Sequence, residues 1–382
     1  MNYKKTSELK NIIHDFLKNY ELPNIFEQDI VMNEMVECIQ ITYTQLYPKN
    51  KLSNDFIKEL ILKRKPIIPI KYTDQEINKI KKQIEILKTI KQPEQRTEEW
   101  YEYRNNRLTA SDLATAIHLN PYGDRKKLIT SKCGHKHDFI KGAAIMHGVK
   151  CEPIATYFYE KLNSIKIFEY GCIPHPHIAY FGASPDGICE YTEANEQYSG
   201  RMLEIKCPKS RDLNGYVPGY YELQIQGQLE VCDLEYCDYL ECVFKECDTL
   251  PEYLKIDSIF KTVILEFYNN TTKNYEYKYG YDFDNKEKIE SWEEEHISKF
   301  YDNIEIDYMG TTYMYLKEYD VILVKRDKER FETIKLQITQ FWNEVLHYRK
   351  NGYQELLPKK KEYKSKEYIS KESNIEFLDD SD

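Results

Sequence analysis

With 382 residues, 41% of them apolar, the chain is long enough for two or three folding units with cores of their own. Its formal net charge of −10 excludes a general electrostatic coating of nucleic acid, so any contact with a polyanion has to be local. No apolar run reaches the roughly 18–20 residues of a membrane span, and Met1-Asn2-Tyr3-Lys4-Lys5 opens no signal peptide, so an intracellular protein with reduced cysteines is expected.

The first hundred residues read as helical. Apolar residues follow helical spacing at Leu9, Ile12, Ile13, Phe16 and Leu17, and again at Ile77, Ile80, Ile84, Leu87 and Ile90. Two more helices fit 27–47 and 53–64, and Pro66 and Pro69 make 63–72 an extended linker. Residues 1–94 are therefore expected to be a helical accessory domain. Its lysines at 79, 81, 82, 88 and 91 read as a solvated helix face.

Next come Gln95-Arg96-Thr97-Glu98-Glu99-Trp100, then Arg104, then Arg107-Leu108-Thr109-Ala110-Ser111. Ser111 reads as the N-cap of a helix over 112–119. Cys133, His135 and His137 lack the ligand count and spacing of a zinc site. Residues 142–163 read as a helix that carries Glu152, with Pro153 marking a kink or restart. An apolar segment over 178–183 runs into the turn Ser184-Pro185-Asp186-Gly187, and 201–207 reads as a strand ended by Pro208. Residues 220–231 read as a helix bearing Gln224, Gln226 and Gln228, of which at least one should point into the site that Asp186, Glu204 and Lys206 mark. Cys232, Cys237, Cys242 and Cys247 recur every five residues, which neither a helix nor a strand places on one face.

Beyond these, 236–244 reads as a strand, 263–268 and 275–283 as a hairpin, 286–301 as a helix, 319–324 as a strand and 327–348 as a helix. From Asn351 the composition is that of a charged, disordered tail over 351–382.

The chemistry concentrates at Asp186, Glu204 and Lys206. Two apart on a strand means one face, so the Glu204 carboxylate and Lys206 ammonium project side by side, about 7 Å apart along the backbone. A neighbouring strand end can bring Asp186 to the same spot. Two convergent carboxylates without a nearby thiolate or imidazole suit Mg2+ or Mn2+, one or two ions, better than zinc, and Glu152 is a third acid. Such a centre suits a phosphodiester, with Lys206 orienting water or meeting developing charge.

Taken in order, Glu152, Ser-Pro-Asp186-Gly, Leu203-Glu204-Ile205-Lys206-Cys-Pro and Tyr221-Glu-Leu-Gln224-Ile-Gln226 resemble the PD-(D/E)XK nuclease core, in the version of phage lambda exonuclease and the YqaJ-like viral recombinases. The resemblance implies a restriction-endonuclease-like α/β fold, a mixed central sheet flanked by helices, over 95–350. It implies Asp186, Glu204, Glu152 and the Ile205 carbonyl as metal ligands, Lys206 as the catalytic lysine, and Gln226 beside the attacking water. Arg104 and Ser111 would bind the DNA 5′ phosphate. The activity implied is metal-dependent exonucleolytic hydrolysis of duplex DNA from a 5′ end, in recombination or repair, with an annealing protein and a homo-oligomer as associated partners. A structure-specific or restriction-like endonuclease, and a DNA-binding factor without catalysis, stand as rivals.

Overall fold

The computed structural model describes residues 12, 29–48, 52–54, 56–58, 70–95, 97–136, 142–300 and 303–358. The helix expected over 9–17 apart from Ile12, most of that over 53–64, the linker over 63–69 and the tail beyond 358 lie outside them.

The N-terminal part contributes helices α1 (Asp29–Leu46) and α2 (Asp74–Thr89). Thr73 and Glu76 form a reciprocal capping box at the start of α2. Then follow α3 (Glu98–Asn105), β1 (Leu108–Thr109), the single-turn helix α4 (Leu113–Ala116) and α5 (Arg125–Lys132). The centre of the chain runs α6 (Ala143–Asn163), β2 (Ile167–Phe168), β3 (Ile173–Pro174), β4 (Phe181–Ala183), β5 (Gly187–Cys189), β6 (Met202–Lys206), α7 (Gly219–Cys232) and β7 (Tyr236–Cys247). The C-terminal part adds α8 (Leu250–Lys255), β8 (Lys261–Asn269), β9 (Asn274–Tyr281), α9 (Lys286–Ser298), β10 (Ile306–Lys325) and α10 (Lys328–Asn351).

A seven-stranded sheet in the order β2-β5-β6-β7-β10-β8-β9 forms the middle layer, and β1-β4-β3 make a small second sheet. Among the described residues, only the β6–β7 pairing of the large sheet is parallel. Parallel neighbours need a crossover, and α7 supplies it. Helix α6, the antiparallel run β2-β5-β6, helix α7 and parallel β7 thus make the restriction-endonuclease-like core expected. The mixed sheet is flanked on one face by α7 and α10, whose Leu223, Ile225, Leu229, Ile338, Phe341 and Val345 share one apolar cluster. On the other face α6 buries Ile154, Ala155 and Phe158 against Leu203, Leu240 and Cys242. Pro153 does not interrupt α6, which stays helical on both sides of it.

β10 is 20 residues long, where alternation in the sequence marked only 319–324. Its first half pairs with β8 and its second with β7, the two ladders overlapping at Tyr313–Tyr315, so polar residues over 306–315 are held by the ladder to β8 rather than by an apolar pattern.

Helix α2 docks on this core. Leu87 belongs to its apolar cluster, Gln83 Nε2 donates to the Cys232 carbonyl (2.7 Å), Lys88 pairs with Glu190 (2.6 Å) and Lys81 lies over the Tyr191 ring (3.6 Å). At least these two lysines of the supposed solvated face are contacts to the core.

Candidate active site

The register of β5 against β6 builds the centre. Gly187 lies opposite Leu203, so Asp186 immediately before β5 reaches the end of β6, and the Ile205 N–H donates to Asp186 Oδ2 (2.7 Å). Gly187 is required there, since a Cβ would stand 2.2 Å from Ile167 Cγ2. Glu204 is fully buried, yet Lys206 on the same strand face reaches its Oε1. The Lys206 ammonium also lies over the Tyr221 ring of α7, 4.6 Å from its centroid.

Helix α7 completes the cage around Glu204. Gln224 Nε2 donates to Glu204 Oε1 (2.6 Å) and Gln228 Nε2 to Glu204 Oε2 (2.7 Å). Gln226 is placed elsewhere, which corrects the expectation that it faces the centre. Its amide donates to the Lys325 carbonyl (2.9 Å) and accepts from the Asp327 N–H (2.7 Å), tying α7 to the start of α10. The reason is helical geometry: residues four apart share a face, whereas two apart are rotated by about 200°. That periodicity was the available signal for Gln224 and Gln228, which the sequence reading did not single out.

Burial, and then the charges of Glu204 and Glu152, push the Asp186 carboxyl well above the usual carboxylate range; Lys206 and the Ile205 N–H offset only part of this. Glu152 on α6 is thus near enough to act on Asp186 electrostatically. For Lys206 burial favours the neutral amine, but Glu204 and Asp186 outweigh it and hold the ammonium protonated. Among the described residues, no three His, Cys, Asp or Glu side chains converge as a ready ligand cluster, at the Cys133–His135 segment or here; His137 lies outside the described residues.

Arg104 on α3 joins the upstream block to this centre. Its guanidinium donates to Ser111 Oγ (3.1 Å) and to Ser184 Oγ (3.2 Å), two residues before Asp186, and stacks 4.3 Å from the Trp100 ring. Trp100 therefore packs against Arg104. Ser111 is no N-cap: it lies inside a 3-10 turn (Ala110–Asp112) and makes no cap bond. Its Oγ is 3.0 Å from Thr109 Oγ1, which donates to Asp112 Oδ2 (2.9 Å). This side-chain chain competes with capping, and the helix after it is a single turn rather than 112–119. A cleft of about 190 Å3 runs from Ser111 to Gln224, lined also by Ala114, Asn120, Tyr122, Tyr220 and Tyr221.

Residues 99–235 match the model of the YqaJ-like viral recombinase domain. That stretch is similar to the YqaJ-like domain. Arg104, Ser111, Glu152, Asp186, Glu204, Lys206 and both cage glutamines fall within it. The chain is 31% identical over 304 residues to an uncharacterized protein of Acanthamoeba polyphaga mimivirus, covering 70% of this chain and 55% of that protein. It is 27% identical over 177 residues to a protein of African swine fever virus, covering 41% of this chain and 51% of that one. The chain thus spans about half the length of these relatives. Among solved structures it is similar to an alkaline exonuclease from Laribacter hongkongensis, with a TM-score of 0.39 and 20% identity over 66% of this chain and 95% of that one. It is also similar to a phage-related exonuclease from Haemophilus somnus, with a TM-score of 0.35 and 12% identity over 63% and 95%.

Proposed function

We propose that the chain is a divalent-metal-dependent DNA exonuclease acting on duplex ends, 5′ to 3′, with Asp186, Glu204 and Lys206 at its centre. The observation that carries the reading is the Asp186–Ile205 hydrogen bond, which brings Asp186 to Glu204 and Lys206, beside a cleft whose lining residue Gln224 bonds Glu204. Residues 95–350 form the catalytic domain in this reading, 1–94 an accessory domain docked through α2, and 351–382 a tail.

The donor set fits Mg2+ or Mn2+. Asp186 and Glu204 offer hard oxygens, with Glu152 near and the Ile205 carbonyl between them in sequence, and Mg2+ keeps several waters and takes one or two carboxylates. Burial first, and then the charges of Glu204 and Glu152, hold the Asp186 carboxyl above its usual range, and a cation bound there would favour its ionised form. When bound, one or two such ions supply polarisation of a phosphoryl oxygen and a more acidic water.

The chain's own residues do the rest. Arg104 and Ser111 present donors for a terminal phosphate, with Trp100 fixing the guanidinium plane. Lys206, held protonated, orients water by hydrogen bonding and meets charge developing on the phosphoryl group. Gln224 and Gln228 fix the Glu204 carboxylate so that it does not reorient as charge moves. A homo-oligomer and an annealing-protein partner follow from the resemblance and belong to the same proposal.

The test is degradation of a linear duplex labelled separately at each 5′ and 3′ end, with Mg2+, with EDTA, and with Lys206→Ala. Metal-dependent release of the 5′ label, lost in the variant, supports the exonuclease. Cutting of closed circular DNA favours an endonuclease, and DNA binding without cleavage favours a non-catalytic factor.

A further inference from the structure

The cleft between Ser111 and Gln224 has two unlike walls. Ser111, Asn120 and Gln224 are polar, whereas Tyr122, Tyr220 and Tyr221 form a continuous aromatic side. The rings are in contact: Tyr122 meets Tyr220 edge to face at 5.8 Å and 85°, and Tyr220 meets Tyr221 tilted by 55° at 4.3 Å. Tyr221 in turn carries the Lys206 ammonium. An aromatic row therefore leads from the reactive centre to Tyr122, which is 84% exposed.

That exposure is not looseness. Tyr122 N–H donates to Asn120 Oδ1 (3.0 Å), Asn120 Nδ2 donates to Thr115 Oγ1 (3.0 Å), and Gly123 N–H donates to the Asn120 carbonyl (3.2 Å). Gly123 packs so closely that a Cβ would stand 2.3 Å from Thr115 Oγ1. A tight turn built on α4 thus presents a large aromatic side chain to solvent at the mouth of a cleft, and presenting it preformed lowers the cost of binding.

We infer that Tyr122 and Tyr220 form a stacking platform for the base of the 5′-terminal nucleotide, unpaired from its complement, while its phosphate lies at Arg104 and Ser111. The inference rests on the proposed nuclease reading for the position of that phosphate. A ring face accepts every base, so the platform gives grip without sequence preference. It makes the protein favour a splayed terminal nucleotide over a fully paired one.

The test separates base from sugar and phosphate, and does not use turnover. The full chain, in EDTA, is titrated by fluorescence anisotropy with a 5′-phosphorylated duplex bearing one unpaired 5′ nucleotide, either thymidine or an abasic tetrahydrofuran analogue. Stacking of one base makes the thymidine end bind tighter by about 5- to 150-fold. Tyr122→Ala brings that ratio close to one, Tyr122→Phe keeps it, and Tyr275→Ala on β9, the distant control, leaves it unchanged. Equal affinity for the two ends in the unmodified protein, a ratio that survives in Tyr122→Ala, or no binding of either end overturns the inference. Failure of the nuclease reading appears separately, as absence of metal-dependent cleavage with the base ratio intact.

Discussion

Replacing Asp186 by asparagine should make the metal-free protein more stable, and increasingly so as the pH rises. The carboxyl is buried beside Glu204 and Glu152, and its folded pKa lies well above that of the unfolded chain, about 3.9. Between those two values the folded state binds more protons than the unfolded state, so wild-type stability falls with rising pH. The slope is at most about 1.4 kcal/mol per pH unit, beginning near pH 4 and ending at the folded pKa. Asparagine does not titrate and keeps a carbonyl oxygen for the Ile205 N–H, so Asp186→Asn escapes this loss at little structural cost. Urea unfolding of both proteins in EDTA, from pH 4 to pH 8, measures the difference directly. It should be smallest at pH 4, grow, and level off where Asp186 has ionised. Adding Mg2+ should then stabilise the wild type and not the variant. A difference that is flat with pH, or that shrinks as pH rises, would refute the idea that burial and the neighbouring carboxylates together disfavour the ionised Asp186 carboxyl.

Lys206→Ala should lower turnover by a factor of ~10^2 or more while the protein stays folded, because the side chain is only partly buried; circular dichroism and the labelled-duplex assay check both halves. The glutamines should divide by face. Gln228→Ala should lower kcat by freeing Glu204, whereas Gln226→Ala should leave kcat near the wild-type value and cost about 1–3 kcal/mol in urea unfolding by orphaning the Lys325 carbonyl and the Asp327 N–H. Arg104→Ala should erase preference for a 5′-phosphorylated over a 5′-hydroxyl end, read from initial rates on the two substrates. On β7, opposite Leu203, Asp238→Ala should cost about 3–5 kcal/mol, since it strands the buried Arg201 guanidinium that Asp238 holds at 2.9 Å.

The core strands and helices were legible because each carries its own pattern. Glu204 and Lys206 announce one strand face, and apolar spacing alone marks α6 and α7. The glutamine assignment failed where a motif likeness was allowed to outrank the rotation of the helix: Gln224 and Gln228, four apart, had to share a face that Gln226 lacks. Ser111 misled for a different reason, since Thr109 and Asp112 offer its neighbourhood hydrogen bonds that a cap would otherwise make. The docking of α2 was illegible because lysines that meet Glu190 and Tyr191 across the fold look the same in sequence as lysines that meet water. Tyr122 likewise carries no sequence mark; only its turn against Thr115 and its place at the cleft mouth distinguish it.

The length of β10 has a consequence for how the molecule is made. Every side chain of the proposed centre has been synthesised by Gln228, and β7 is complete at Cys247, yet the strand that covers its free edge spans Tyr313 to Lys325. At about 5–20 residues per second, a nascent chain carries an unpaired, largely apolar edge for several seconds after its reactive residues exist. Any version of the chain ending within that interval would leave the edge open for good, so a fragment cut just after β7, at Cys247, is a recipe for aggregation rather than a minimal enzyme.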